Sequence, residues 1–284
     1  FDVTLNDVQP SATNLIKKNA RLNKVKVKVT NKEANQLLTE RKREKFDAID
    51  IDPFGTPSPF LSNSFLALRP KDSIIAITAT DLGALAGVYP EACFRKYSIV
   101  AGKTSFLHEL GIRNLIMATF REATKQDYSL KPVYSYYNLH YYRVFCEMVG
   151  GKKRANRSKT DLGFVSYCPK CERRDLIPLY EEIKIKCECK EKRKVFGITW
   201  IGKIGDPEFL NKSLIGNPLE YEIEEPYYDL HRLSFIGKTD AKRTFDVIEK
   251  LRDMGYKAER THFSGHGIKT IAPFEVLKKV ALKD

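Results

Sequence analysis

The chain has 284 residues, 42% of them hydrophobic and 30% charged, and its 49 Lys and Arg against 36 Asp and Glu give a net charge of +13. Such a length holds two domains of ordinary size; no apolar run approaches the ~20 residues a membrane span needs, and nothing in these residues resembles a signal peptide. The excess of cations favours a polyanionic partner, because Lys and Arg gain by displacing counterions from phosphates.

Residues 1–150 alternate strand and helix signals. The chain opens inside a strand-like pattern, Phe1-Asp2-Val3-Thr4-Leu5-Asn6, without an initiator Met, from which an upstream segment is expected. Strands are predicted at residues 1–6, 25–30, 46–51 and 73–79. Helices are predicted at residues 10–22, where Pro10 suits a first turn, and at 33–43 and 59–68. A longer amphipathic helix over 106–123 precedes a closing strand pair at 133–138 and 141–148. Strands alternating with helices predict an α/β fold with a mainly parallel, doubly wound sheet. Right-handed crossovers then place the strand-to-helix loops on one edge.

Near Gly150 the composition shifts. The run from Gly150 to Lys159 is basic and lacks large apolar residues, so it reads as a linker or exposed loop, with Lys152, Lys153, Arg154 and Arg157 as candidate phosphate contacts. Residues 151–284 read as a second, smaller α+β domain with cysteine pairs and a helix at 241–253.

The most informative stretch is Asp50-Ile51-Asp52-Pro53-Phe54-Gly55-Thr56-Pro57. A buried strand ends abruptly at Pro53 and Gly55, which puts an acid, a free proline carbonyl and an aromatic ring at its C-terminal end, where open α/β sheets bind ligands. Transfer of a methyl group to an exocyclic amine of a base needs this set. Acceptors must take the N–H groups because the lone pair is delocalised into the ring, and an aromatic must hold the base flat. Asp7 ends the first strand, where a carboxylate can bind both ribose hydroxyls of a nucleoside cofactor as in Rossmann-like folds; it is equally a helix-capping type. Glu33-Ala34 occupies the next strand's loop, where the carboxylate can accept from an adenine amino group or simply favour a helix start.

Six cysteines do not make a disulfide framework in a chain this size, and a reducing cytoplasm is the expected compartment. Cys168-Pro169-Lys170-Cys171 and Cys187-Glu188-Cys189, fifteen residues apart, suit one tetrahedral zinc. Four thiolates leave no open position, so the metal is read as structural. Cys93 and Cys146 sit in apolar surroundings and are read as core. Arg260-Thr261-His262-Phe263-Ser264-Gly265-His266-Gly267-Ile268-Lys269-Thr270 reads as a loop able to bind phosphates and stack on a base, with Arg260, His262 and Lys269 as candidate contacts. His108, Glu109 and Arg113 share the long helix, where a structural ion pair is expected.

The chain resembles the archaeal and eukaryotic tRNA guanine-26 N2-dimethyltransferases. The resemblance rests on Asp50 to Pro57, Thr78-Ala79-Thr80-Asp81, His108 to Arg113, the aromatic run Ser135 to Tyr142, the cysteine cluster, Trp200-Ile201-Gly202-Lys203 and Arg260 to Thr270, in order along nearly the whole chain. It implies a class I S-adenosylmethionine-dependent methyltransferase domain, here without its first strand and glycine loop, joined to a C-terminal domain peculiar to the family. It implies tRNA as partner, S-adenosylmethionine as methyl donor and no membrane or obligate protein partner, the upstream segment coming from the same gene product or another chain. Asp52, Pro53 and Phe54 would form the catalytic motif, and Asp7, Val8, Glu33 and Ala34 would contact the cofactor. Two alternatives stay open on the residues alone: the same chemistry on a different RNA guanine, or a zinc-containing RNA-binding protein without activity.

Overall fold

The computed structural model describes residues 1–282. Strands β1 (Thr4–Asn6) and β2 (Lys28–Thr30) pair in parallel, joined by helix α1 (Pro10–Leu22). Helix α2 (Ala34–Glu40) leads to β3 (Ala48–Ile51), and α3 (Ser58–Ala67) carries the chain across to β4 (Lys71–Ala79), parallel to β3. Two short helices, α4 (Leu82–Leu85) and α5 (Pro90–Tyr97), precede the long α6 (Leu107–Thr124). Strands β5 (Tyr128–Asn138) and β6 (Tyr141–Gly150) complete a four-stranded sheet in the order β3-β4-β6-β5.

That sheet is mixed rather than mainly parallel. Only Leu139 and His140 separate β5 from β6, and so short a turn can join strands only in antiparallel pairing; β6 then enters between β4 and β5, antiparallel to both. The strand ends nevertheless fall as expected. The C-terminal ends of β3, β4 and β5 and the start of β6 share one edge.

The run expected as a linker is instead a short helix, α7 (Lys152–Arg157), seated through buried Ala155 with its cations exposed. Strands β7 (Leu162–Tyr167), β8 (Arg174–Pro178) and β9 (Lys194–Trp200) form an antiparallel sheet, β8-β7-β9. After α8 (Pro207–Ser213), strand β10 (Tyr228–Asp229) and helices α9 (Leu230–Gly237) and α10 (Thr244–Asp253) lead to β11 (Ala258–Arg260) and β12 (Gly267–Thr270). These strands form the sheet β10-β12-β11, and α11 (Phe274–Leu282) follows.

Packing does not break at residue 150. The larger core joins Phe65, Ile75, Ile77 and Leu110 to Tyr167, Phe196, Trp200 and Tyr221, and a second core, containing Leu233, Leu251, Ile268 and Leu277, begins at Tyr228. Helix α6 belongs to the larger core and is buried along nearly its whole length, as a helix covered on most sides must be; through Glu109 it reaches Lys269 on β12. It carries a fully buried ion cluster. Arg113 Nη2 donates to Glu109 Oε1 at 2.8 Å and Lys269 Nζ to the same oxygen at 3.2 Å, while the Tyr227 N–H reaches Glu109 Oε2 at 3.0 Å. Arg113 Nη1 also donates to the carbonyls of Trp200 and Gly202. A Cβ at Gly202 would lie 2.6 Å from Asp161 Oδ1, so any larger residue there would require the Asp161 side chain to move.

Candidate active site

Strand β3 ends at Ile51, and the next three residues stand clear of the sheet. Asp52 is exposed and Phe54 is fully exposed, at 104%. Neither the Asp52 carboxylate nor the Pro53 carbonyl has a hydrogen-bond partner among the described residues. The turn that carries them is held firmly. Gly55, at φ +92°, donates its N–H to Thr80 Oγ1 at 2.6 Å, and the Thr80 N–H returns to the Gly55 carbonyl at 3.0 Å. Below it, Thr56 Oγ1 donates to the buried Tyr97 hydroxyl at 2.8 Å, which donates to Asp81 Oδ1 at 2.7 Å. Two acceptors and one ring are thus displayed on a braced loop, open to solvent and without hydrogen-bond partners among the described residues, an arrangement that suits a pre-formed binding edge.

Positive charge stands behind that edge. Arg143 on β6 donates to Asp50 Oδ2 at 2.6 Å and to Thr78 Oγ1, and its charge acts on Asp52 as well. His108, at the start of α6, stacks on Tyr137 at 3.7 Å and lies 3.1 Å from the Tyr142 hydroxyl. Burial pushes its pKa down to about 4, so it is neutral at physiological pH.

Parallel pairing of Asn6 with Thr30 brings the loops after β1 and β2 side by side. Asn31 Nδ2 donates to the carbonyls of Asp7 and Val8 at 2.8 and 2.9 Å, tying the loops together. Asp7 Oδ1 accepts from the Gln9 N–H at 2.7 Å, Glu33 caps α2 by accepting from Gln36 N at 2.9 Å, and Ala34 is that helix's first residue. Glu33 Oε1 also accepts from Asn35 Nδ2 at 3.2 Å, whereas Asp7 Oδ2 has no hydrogen-bond partner among the described residues, and Val8 is exposed. Asp52 belongs to the other sheet, and β1 and β3 are not hydrogen-bonded to each other.

The cysteine cluster is assembled as the spacing requires. The four Sγ atoms of Cys168, Cys171, Cys187 and Cys189 lie within 4.8 Å of one another, with Cys168–Cys189 at 3.5 Å and Cys171–Cys187 at 3.6 Å. A tetrahedron with Zn–S near 2.3 Å has edges of about 3.8 Å, so the thiols fit zinc; they are far outside disulfide distance. Each pair sits on a tight turn closed by a residue in the left-handed region, Glu172 at φ 70° and Lys190 at φ 70°. Cys93 and Cys146 are buried in the larger core, as expected.

The basic candidates divide. Lys152, Lys153, Arg154 and Arg157 are exposed, and Lys152 Nζ lies 3.8 Å from Asp127. Arg260 is exposed and has no side-chain partner among the described residues. His262 is held between chain segments: Nδ1 is 2.9 Å from Glu220 Oε1, and Nε2 accepts from the Tyr137 N–H at 3.3 Å. Lys269 is not available to RNA at all. It is 0% exposed and committed to Glu109, because the stretch expected as one loop is a turn between two paired strands and Lys269 lies on buried β12. Glu220 escaped sequence reading; it sits in an unremarkable Pro-Leu-Glu-Tyr-Glu run, and nothing local marks it as the partner of Thr261 and His262.

An α/β sheet with unsatisfied acceptors and an aromatic at its ligand-binding edge, and paired acids at neighbouring strand ends, has the form of an S-adenosylmethionine-dependent methyltransferase. The model of the N2,N2-dimethylguanosine tRNA methyltransferase family matches residues 1–282, and the chain belongs to that family. It is 37% identical to a tRNA (guanine(26)-N(2))-dimethyltransferase of Pyrobaculum islandicum over 97% of this chain and 76% of the relative. The enzyme of that name from Methanosarcina mazei is 34% identical, over 98% of this chain and 76% of the relative. The solved complex of Trm1 from Pyrococcus horikoshii with S-adenosyl-L-methionine superposes with a TM-score of 0.88 at 28% identity, covering 99% of this chain and 82% of that one.

Proposed function

We propose that this chain transfers methyl groups to the exocyclic N2 of guanine 26 in tRNA, giving N2,N2-dimethylguanine, with Asp52, Pro53 and Phe54 as its reacting edge. The observation that carries the reading is the braced loop presenting two free acceptors beside a fully exposed ring. S-adenosylmethionine, when bound, supplies an electrophilic sulfonium methyl, and the carboxylates of Asp7 and Glu33, with Val8 and Ala34 beside them, are the residues that would hold its nucleoside.

The chain's own work follows from the amine. Asp52 and the Pro53 carbonyl accept one N–H each, which turns the lone pair out of conjugation, and Phe54 stacks on a base that must leave its helical stack to be reached. Positioning supplies most of the acceleration, and Asp52 takes the proton released after transfer. Two acceptors match the two hydrogens of the unmodified amine; the singly methylated amine retains one, enough to be oriented for a second transfer. To test the assignment, the protein is given labelled donor and an unmodified tRNA transcript, and the digested product is sought at position 26. A transcript with adenosine there should accept no label, and labelling at another guanine instead would move the reading to a different substrate.

Zinc held by Cys168, Cys171, Cys187 and Cys189 has a structural role in this reading, since no ligand position is left for substrate. Bound zinc contributes directly to folding, so chelation should loosen the β7–β9 region and leave the β3–β4–β6–β5 sheet protected in hydrogen exchange. Metal-free protein with four freely reactive thiols and unchanged exchange would remove zinc from the account.

The part after residue 150 is the tRNA grip, because a methyltransferase pocket alone cannot choose one guanine among many and the choice falls to RNA shape. Replacing Lys152, Lys153, Arg154 and Arg157 with Ala should weaken binding evenly across tRNA species. The plot of log K against log salt should also become shallower, by about three for four lost phosphate contacts. An unchanged slope would show α7 to be a solvated face and leave Arg260 as the cation to pursue.

A further inference from the structure

A cleft of about 430 Å³ opens between β5 and the segments around residues 217–221 and 260–262. Its walls are rings. Tyr134 and Tyr136 stand on one side, 5.1 Å apart, and Tyr134 meets Tyr221 at 6.0 Å; Tyr221 in turn lies parallel to the His262 ring at 6.1 Å. Exposed Arg260 lines it and has no side-chain partner among the described residues. Buried Glu220 fixes the remaining wall. It accepts from Thr261 Oγ1 at 2.6 Å and holds His262 Nδ1 at 2.9 Å. The Tyr137 N–H points at Nε2, so His262 is held at both ring nitrogens.

The cleft belongs to the same sheet face as the chemistry. Tyr136 pairs in register with Arg143, and Arg143 reaches across β4 to Asp50, two residues before Asp52. Strand β5 runs in the same direction as β3 and stands three strands along in the order β3-β4-β6-β5. At ~4.8 Å per strand the cleft is therefore displaced by roughly 14 Å from the β3 end. It is too far away to be the pocket of the methylated base, yet it shares its edge.

From this arrangement we infer a second nucleotide subsite: the cleft takes one unstacked nucleotide of the RNA flanking the target guanine, its base against the half-buried rings of Tyr134 and Tyr136, which buried Tyr221 backs, and its phosphate at Arg260. Aromatic walls with an uncommitted guanidinium at the rim are the recognition set for single-stranded nucleotides. The size falls within the range of small-molecule pockets. Occupying it would hold the strand on both sides of the flipped base, which is how a small amine can be presented in one geometry.

The inference rests on the reading of the chain as a tRNA methyltransferase, so its test uses equilibrium binding as well as turnover. In the full-length protein, Tyr136→Ala and Arg260→Ala should each weaken binding of the unmodified tRNA transcript roughly tenfold, the size of one lost base-stacking or charged contact. KM for tRNA should rise in step, with kcat and affinity for S-adenosylmethionine unchanged. Tyr136→Trp should restore binding, which a purely structural loss would not. A photoreactive residue at position 136 should crosslink to a nucleotide beside the target. Binding within twofold of the unsubstituted protein in both Ala variants, or a crosslink to the methylated guanine itself, would overturn the subsite. Absence of any methyl transfer by the unsubstituted protein would instead break the enzymatic reading and leave the binding measurements to decide the cleft.

Discussion

Asp52→Ala should lower methyl transfer by a factor on the order of 10³, since in the proposed reaction it removes both an acceptor for the amine and the base that receives its proton. Binding of tRNA should stay within about twofold, because affinity for RNA resides mostly in phosphate contacts and Asp52 contributes none. The exposure of Asp52 and its lack of internal partners make this a clean experiment: the fold gives up no hydrogen bond when the carboxylate is removed. Phe54→Ala should produce a smaller loss, about the ~1–3 kcal/mol of one base–aromatic stack, and Phe54→Tyr should recover most of it. Activity surviving Asp52→Ala within a few-fold would end the role assigned to this carboxylate and shift attention to the Pro53 carbonyl as the sole acceptor.

The largest effect on stability is expected at Glu109. Its carboxylate is fully buried and serves Arg113, Lys269 and the Tyr227 N–H at once. These partners hold its pKa below the usual carboxylate range, against the strong upward push of burial. Glu109→Ala strands two buried cations, and removing one partner of a buried ionic network costs about 3–5 kcal/mol, or roughly ten degrees in melting temperature for a chain of this size. Lys269→Met should cost much less, because Glu109 keeps Arg113 and the backbone N–H while the methionine fills the space. Equal losses in the two variants would mean that shape, not charge, governs this junction. The carboxylate's lowered pKa gives the network a definite sign: its stabilisation is present above the ordinary carboxylate pKa and is lost as acid protonates Glu109 in the folded state.

Local signals were read well, and long-range ones were not. The span of α1 was legible because Pro10 opens it and polar and apolar residues recur at helical spacing through Leu22. The end of β3 was legible because Pro53 and Gly55 terminate the strand visibly. Glu33 proved to be the cap of α2 rather than part of its first turn, a difference of one residue that periodicity does not resolve. Strand direction was misjudged since alternation of elements says nothing about where β6 inserts; only the two-residue turn at Leu139 and His140 held that information. Lys269 was misjudged for a deeper reason. A lysine amid Gly, His and Ser looks like a surface loop, and its partner Glu109 lies 160 positions away, a separation over which no spacing rule operates. The pairing of Glu220 with His262, 42 positions apart, is invisible for the same reason.

The junction at Glu109 also decides how this molecule can be taken apart. The natural place to cut is just before Tyr228, where the second core begins, yet the fragment upstream of that cut would keep Glu109 and Arg113 while losing Lys269. A piece ending there would keep the Glu109–Arg113 pair and the Tyr227 N–H, but it would open them to water together with the surface the C-terminal core had covered. Excision is therefore expected to yield a destabilised fragment rather than a minimal catalytic unit, and the C-terminal core is less a separable attachment than an organ of the larger core itself.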